Sequence, residues 1–202
     1  MDTLTTLQKF REHAAMFVEL DDAEWNTLLP LLEISTLKKK ENFSEPGKIC
    51  NQLSLIVQGS VRFFHIKDGE EITGYFCFEN EFTSSYKSFL TRNPSILYIQ
   101  ALENSMFVSL SYDNMQKAYS NNLIGHKMER LGRLIAEYYL ICYEDRVTSF
   151  ITQTPEERYN KLLQTRGDVV QHIPQHYIAN FLGITPVSLS RIRRRIMKIS
   201  AQ

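Results

Sequence analysis

Apolar residues along this 202-residue chain change rhythm twice. Near the start they recur at helical spacing: Trp25, Leu28, Leu29 and Leu32 follow Asp21-Asp22-Ala23-Glu24, an acid-x-x-Glu capping box. From Glu41 the pattern becomes one of short apolar runs, LSLIV, VRFFHI, EITGYFCF, SILYIQAL and MFVSL. Pro46-Gly47, Gly59 and Asp68-Gly69 separate the first of these, and Asp-Gly is the dipeptide of a two-residue hairpin. SILYIQAL and MFVSL read as a further strand pair across Glu103-Asn104. Short strands with turns at this spacing predict a compact β-barrel or roll over residues 1–115.

The rhythm then turns helical again. Tyr112 to Tyr143 contains no proline and predicts one long helix over 112–143. Ile124, Met128, Leu131, Ile135, Tyr138 and Cys142 are spaced 4, 3, 4, 3, 4, an a/d seam. Lys127, Glu129, Arg130, Arg133 and Glu137 flank it, which suits pairing of two helices in a dimer better than full burial. A helix packed on its own β-domain is the alternative.

Residues 144–202 read as a third segment. A short helix, DRVTSFITQ, precedes Thr154-Pro155-Glu156-Glu157, an N-cap with proline in the first turn. The helix it opens ends near Arg166-Gly167, and Asp168 to Ile173 suit a short extended wing. Then follows QHYIANFLGITPVSLSRIRR from Gln175. Ile178, Leu182, Leu189 and Ile192 are spaced to pack two short helices together, with Ala179 at their close approach and Ile184 beneath the turn. Gly183 falls at that turn, where φ > 0 costs a residue without Cβ nothing. Thr185 is an N-cap and Pro186 the first residue of the second helix. Such a helix-turn-helix presents its second helix to the DNA major groove. Leu189, Ile192 and Ile196 then face inward. Val187, Ser188, Ser190, Arg191 and Arg194 face outward and, with Thr185, Arg195 and Lys198, are the DNA-binding candidates: Arg191 for a bidentate contact to guanine, Val187 for apolar contact, and Arg194, Arg195 and Lys198 for phosphate.

Charge strengthens that assignment. The chain is formally neutral, yet residues 151–202 hold eight Lys/Arg against three Asp/Glu, while residues 1–150 hold fifteen against twenty. A basic end on an acidic body fits a nucleic-acid-binding end on a chain whose other end does something else. No apolar run approaches the roughly eighteen residues of a membrane span. The start, MDTLTTLQKFREHA, lacks the basic and apolar regions of a secretory signal, so a cytoplasmic location is expected. Cys50, Cys77 and Cys142 are too scattered for a disulfide framework or a metal site and are expected to be free thiols.

In this order of segments, and above all over GITPVSLSRIRRR, the chain resembles the Crp/Fnr family of bacterial transcription regulators. The resemblance implies an α+β fold: an N-terminal β-roll sensor domain of the cyclic-nucleotide-binding type, a long dimerisation helix and a C-terminal winged helix-turn-helix. It implies a homodimer on a two-fold symmetric double-stranded operator, with RNA polymerase as a further partner and a small-molecule effector. Cyclic-nucleotide-binding members carry a Gly-Glu pair for the ribose and an Arg-Ser/Thr-Ala run for the phosphate. Here the stretch is ENEFTSSYKSFLTRNPSILYIQ. Glu81 stands for the ribose-binding acid, but Asn80 replaces the glycine, and Asn93-Pro94-Ser95 stands where the arginine is expected, with Arg92 ahead of it. Proline biases Asn93 towards extended backbone, unlike a phosphate-cradling turn. Cyclic AMP is therefore not the expected effector, although a cyclic-nucleotide-responsive regulator with a divergent cassette is the alternative. Glu81, Ser84, Ser85, Tyr86 and Arg92 are candidate pocket residues for another small molecule.

Enzyme chemistry finds little support in the sequence. A cupin-like catalytic metal site needs several histidines on neighbouring strands, and only His65 lies in the β-segment. No Gly-x-Ser-x-Gly, P-loop or dinucleotide motif occurs. No catalytic residue, metal or cofactor is expected.

Overall fold

A computed structural model describes residues 2–170 and 172–199. Near the start, α1 (Thr3–Ala15) is capped by Asp2, whose carboxylate accepts from Thr5 N at 2.8 Å. α2 (Asp22–Leu28) begins in the capping box expected from Asp21 and Glu24. Eight strands follow: β1 (Leu32–Leu37), β2 (Asn42–Ser44), β3 (Gln52–Gln58), β4 (Val61–Lys67), β5 (Glu70–Cys77), β6 (Phe82–Thr83), β7 (Tyr98–Ala101) and β8 (Ser105–Ser111). The helix α3 (Tyr86–Thr91) lies between β6 and β7. Among the described residues five helices follow: α4 (Tyr112–Tyr119), α5 (Gly125–Thr152), α6 (Pro155–Val170), α7 (Gln175–Leu182) and α8 (Pro186–Ile199).

The strands form two four-stranded sheets, ordered β1-β8-β3-β6 and β2-β7-β4-β5. Asp68 and Gly69 both take positive φ, 55° and 82°, as a tight hairpin between β4 and β5 requires. SILYIQAL and MFVSL do form strands, but they do not pair with each other. β7 joins one sheet, while β8 crosses to the other and lies antiparallel between β1 and β3.

By compactness the chain divides into residues 1–63 with 76–140, and residues 64–75 with 141–202. In the first unit, Leu53, Leu55 and Val57 of β3 and Val108 and Leu110 of β8 share one core with Phe10, Trp25, Leu28 and Phe89. Ile124, Met128, Leu131 and Ile135 belong to that same core, at 5% exposure or less. Four of the six proposed seam positions therefore face this unit's own interior. A sheet must cover its apolar face, and the α5 stripe contributes to that cover. Tyr138 remains exposed and Cys142 is half-buried.

The expected helix over 112–143 is also two helices. Asn121 Oδ1 accepts from the amides of Leu123 and Ile124 at 2.9 and 3.2 Å, a local bond that competes with helix continuation and opens α5 afresh. α5 then runs without interruption through DRVTSFIT, since nothing between Tyr143 and Thr152 breaks a helix.

In the second unit α6 starts as Thr154-Pro155 predicts. Glu157 N donates to Thr154 Oγ1 at 3.3 Å, and Glu157 Oε2 accepts from Thr154 N at 2.7 Å. The expected stop near Gly167 does not occur, and Asp168 to Val170, the first residues of the expected wing, continue α6 instead. A glycine weakens a helix interior by only about 1 kcal/mol, and Val170 is buried at 2% exposure. Tyr159, Leu162 and Ile173 are buried as well, and the burial of Val170 favours the longer helix. Gln171 lies outside the described residues.

Candidate nucleic-acid interface

α7 and α8 meet through the residues that the sequence singles out. Ile178, Ala179, Leu182, Leu189 and Ile192 are all at 5% exposure or less. Gly183 ends α7 at φ +71°. Its amide donates to Asn180 O at 2.9 Å and that of Ile184 to Ala179 O at 3.0 Å, the paired bonds of a Schellman cap. Ile184 is half-buried beside this turn.

Thr185 then caps α8. Its Oγ1 accepts from Ser188 N at 3.2 Å and lies 3.0 Å from Ser188 Oγ. With Leu189 and Ile192 buried, the opposite side of α8 carries Val187, Arg191 and Arg194, all exposed. Ser188, Ser190 and Ile196 are intermediate. Among the described residues no carboxylate pairs with Arg191, Arg193 or Arg194, which leaves their donors available to an outside acceptor. Arg195 differs: its guanidinium meets the Glu156 carboxylate at 2.6 Å. The side chain of Lys198 lies outside the described part.

A cleft of about 750 Å³ separates the start of α6 from α8, lined by Thr154, Glu156, Ser188, Arg191, Ile192 and Arg195 among others. In the sequence Thr154 marks only a helix start, and nothing there pairs Glu156 with Arg195. Two residues in different helices, 39 positions apart, give no local signal of their meeting. The Glu157 carboxyl is held below its ordinary range by the Thr154 amide, and so remains an anion at the first turn of α6.

The candidate pocket residues are placed differently. Ser84 Oγ donates to Gln52 O at 2.9 Å and Ser85 Oγ lies 2.9 Å from Ser95 Oγ, both hydroxyls buried. Ser88 Oγ donates to Asn93 O and accepts from Cys50 N. Arg92 ends α3 in the left-handed region at φ 57°. Its guanidinium donates to Cys50 O, Phe89 O and Asn51 Oδ1 and stacks 4.2 Å from the Tyr112 ring centroid. Glu81 accepts from Phe78 N, and burial raises the Tyr86 phenol above its usual range. The Ser84, Ser85 and Ser88 hydroxyls and the Arg92 guanidinium are thus bonded within the protein itself. Among the described residues, no three His, Cys, Asp or Glu side chains gather as a metal site would need, and no helix is long and apolar enough to cross a membrane.

No protein-family model matches the sequence, and no curated protein sequence does. Solved structures do. The chain is similar to the c-di-GMP-responsive global regulator CLP of Xanthomonas campestris, at a TM-score of 0.68 and 12% identity, covering 89% of this chain and 93% of that one. FixK2 of Bradyrhizobium japonicum is similar at a TM-score of 0.65 and 16% identity, covering 84% and 86%. A protein of Eubacterium rectale described as a Crp/Fnr-family transcriptional regulator is similar at a TM-score of 0.62 and 18% identity, covering 88% and 84%. The fold of this chain is that of the Crp/Fnr transcription regulators.

Proposed function

We propose that this chain is a sequence-specific DNA-binding transcription regulator that acts as a cytoplasmic homodimer and not as an enzyme. The observation that carries this is the α8 surface. A helix capped at Thr185 turns Leu189 and Ile192 inward and leaves Val187, Arg191 and Arg194 exposed, with no carboxylate pairing the two arginines among the described residues. In this reading Arg191 makes a bidentate contact to guanine, Val187 meets a thymine methyl, and Ser188 and Ser190 make adjoining polar contacts. Arg194, Arg195 and Lys198 meet phosphate, with Arg195 exchanging Glu156 for the backbone. RNA polymerase is the partner through which such a regulator acts.

Dimer pairing uses α5, but not the stripe buried in the first unit. Tyr138, Leu140, Ile141, Val147 and Ile151 are exposed apolar residues on this helix. Leu140, Glu144, Val147 and Ile151 are spaced 4, 3, 4, the register of a two-helix seam. A second copy of the chain would cover them. Regulation acts through the β-domain by a small molecule other than cyclic AMP, or by abundance alone. The internal hydrogen bonds of Ser84, Ser85 and Ser88 and of Arg92 support that choice.

Enrichment of bound duplexes from a random-sequence library tests the proposal. A two-fold symmetric motif with half-sites about one helical turn apart is the expected product. Recovery of DNA without any enriched sequence, or of none, would refute it.

A further inference from the structure

Two arginines from different helices converge on the end of α7. Arg146 of α5 donates from Nη2 to Phe181 O at 2.9 Å, and its guanidinium lies 3.8 Å from the Phe181 ring centroid and 4.8 Å from that of Phe150. Arg158 of α6 donates to Leu182 O at 2.8 Å and to Gln153 O at 2.6 Å, and its guanidinium lies 4.6 Å from the Phe150 centroid. Among the described residues neither arginine has a carboxylate partner. Burial is the main cause that lowers the Arg146 pKa to about 10.

The acceptors explain the arrangement. Phe181 and Leu182 are the last residues of α7, whose carbonyls lack helical partners and carry the negative end of the helix dipole. Gly183 follows, and a Cβ built there would stand 3.0 Å from Phe150 Cε1. The turn between α7 and α8 is thus gripped by α5 through Arg146 and Phe150, and by α6 through Arg158. None of the three residues belongs to α8.

We infer that Arg146, Phe150 and Arg158 are positioning residues for operator recognition, fixing the turn from which α8 is presented to the groove. The inference rests on the DNA-binding function proposed above. Base-edge hydrogen bonds demand close placement of the reading helix, whereas attraction between cations and phosphates tolerates displacement. A loosened turn therefore weakens binding to the operator while leaving non-specific binding in place. A role in stability alone would alter neither affinity in the protein that remains folded.

The test compares full-length wild type, Arg158→Gln, Arg158→Lys and Phe150→Leu on two duplexes at one salt concentration. One duplex carries the sequence that the wild type enriches from a random library; the other is its shuffled version. Circular dichroism melts set a temperature at which each variant is folded. Arg158→Gln and Phe150→Leu are expected to lose about tenfold or more in the ratio of the two affinities. Binding to the shuffled duplex should stay within about twofold of wild type, and Arg158→Lys, which keeps the cation, should recover much of the ratio. If Arg158→Gln does not fold, Phe150→Leu decides, since it keeps an apolar side chain at that place. A folded variant with an unchanged ratio, or with both affinities reduced alike, overturns the inference. A wild type that enriches no sequence overturns the DNA-binding function itself, a different result from an unchanged ratio.

Discussion

Lys127 Nζ lies 2.6 Å from Glu24 Oε2 and also donates to Glu19 O, so a cation that flanks the apolar stripe of α5 is bonded inside its own unit. The hydrogen bond from Lys127, followed by that from the Asp21 amide, holds the Glu24 carboxyl below its ordinary value of 4.5. Because the folded pKa lies below the unfolded one, this pair contributes stability above the unfolded value and loses it as pH falls through the folded one. The stability gap between wild type and Glu24→Gln should therefore be full at pH 7 and shrink below about pH 4. Urea unfolding at a series of pH values measures it; a gap independent of pH would show that the ion pair adds nothing.

Leu131 and Ile135 fill the core of the first unit at 5% and 2% exposure. Leu131→Ala should lower unfolding free energy by about 2–5 kcal/mol, whatever the oligomeric state. Leu140→Asp with Val147→Lys changes exposed positions instead. That double variant should keep the wild-type circular dichroism spectrum and sediment as a monomer. A folded double variant that still sediments as a dimer would place the interface elsewhere.

Gly183 combines a left-handed backbone with the Phe150 ring close by. Gly183→Ala should cost on the order of 1–2 kcal/mol from the backbone alone, read as a lowered unfolding midpoint. An unchanged midpoint would mean that the turn relaxes freely.

Arg92 caps α3, and its truncation removes three hydrogen bonds and the stack on Tyr112. Arg92→Ala should destabilise the protein by roughly 1–3 kcal/mol. Calorimetric titration of the wild type with cyclic AMP should show no binding in the micromolar range. Micromolar affinity that disappears in Arg92→Ala would instead assign this arginine to a phosphate.

The helix-turn-helix was legible almost residue by residue, because local chemistry dictates it: Gly183 takes positive φ, Thr185 caps, and 3.6-residue spacing divides Leu189 and Ile192 from Val187, Arg191 and Arg194. The capping boxes at Asp21 and Thr154 and the Asp68-Gly69 hairpin were equally local. Non-local choices were not legible. The 4, 3, 4 spacing from Ile124 fits a partner helix or a sheet equally well, and only the β-domain's need for cover decides between them. Asn121 ended one helix through its own side chain, where composition alone promised continuity. Gly167 suggested a stop that the burial of Val170 overrides. Arg146 and Arg158 carry no motif, since their acceptors are carbonyls 35 and 24 positions away.

That α8 reads base sequence is the central claim, and Arg191→Ala tests it most directly. Its affinity for the enriched operator and for random duplex DNA should be measured alongside wild type. The variant should lose about 1–3 kcal/mol on the operator and relax the preference at one base pair in each half-site, with little change on random DNA. Equal weakening on both duplexes, or an unaltered enriched sequence, would contradict it.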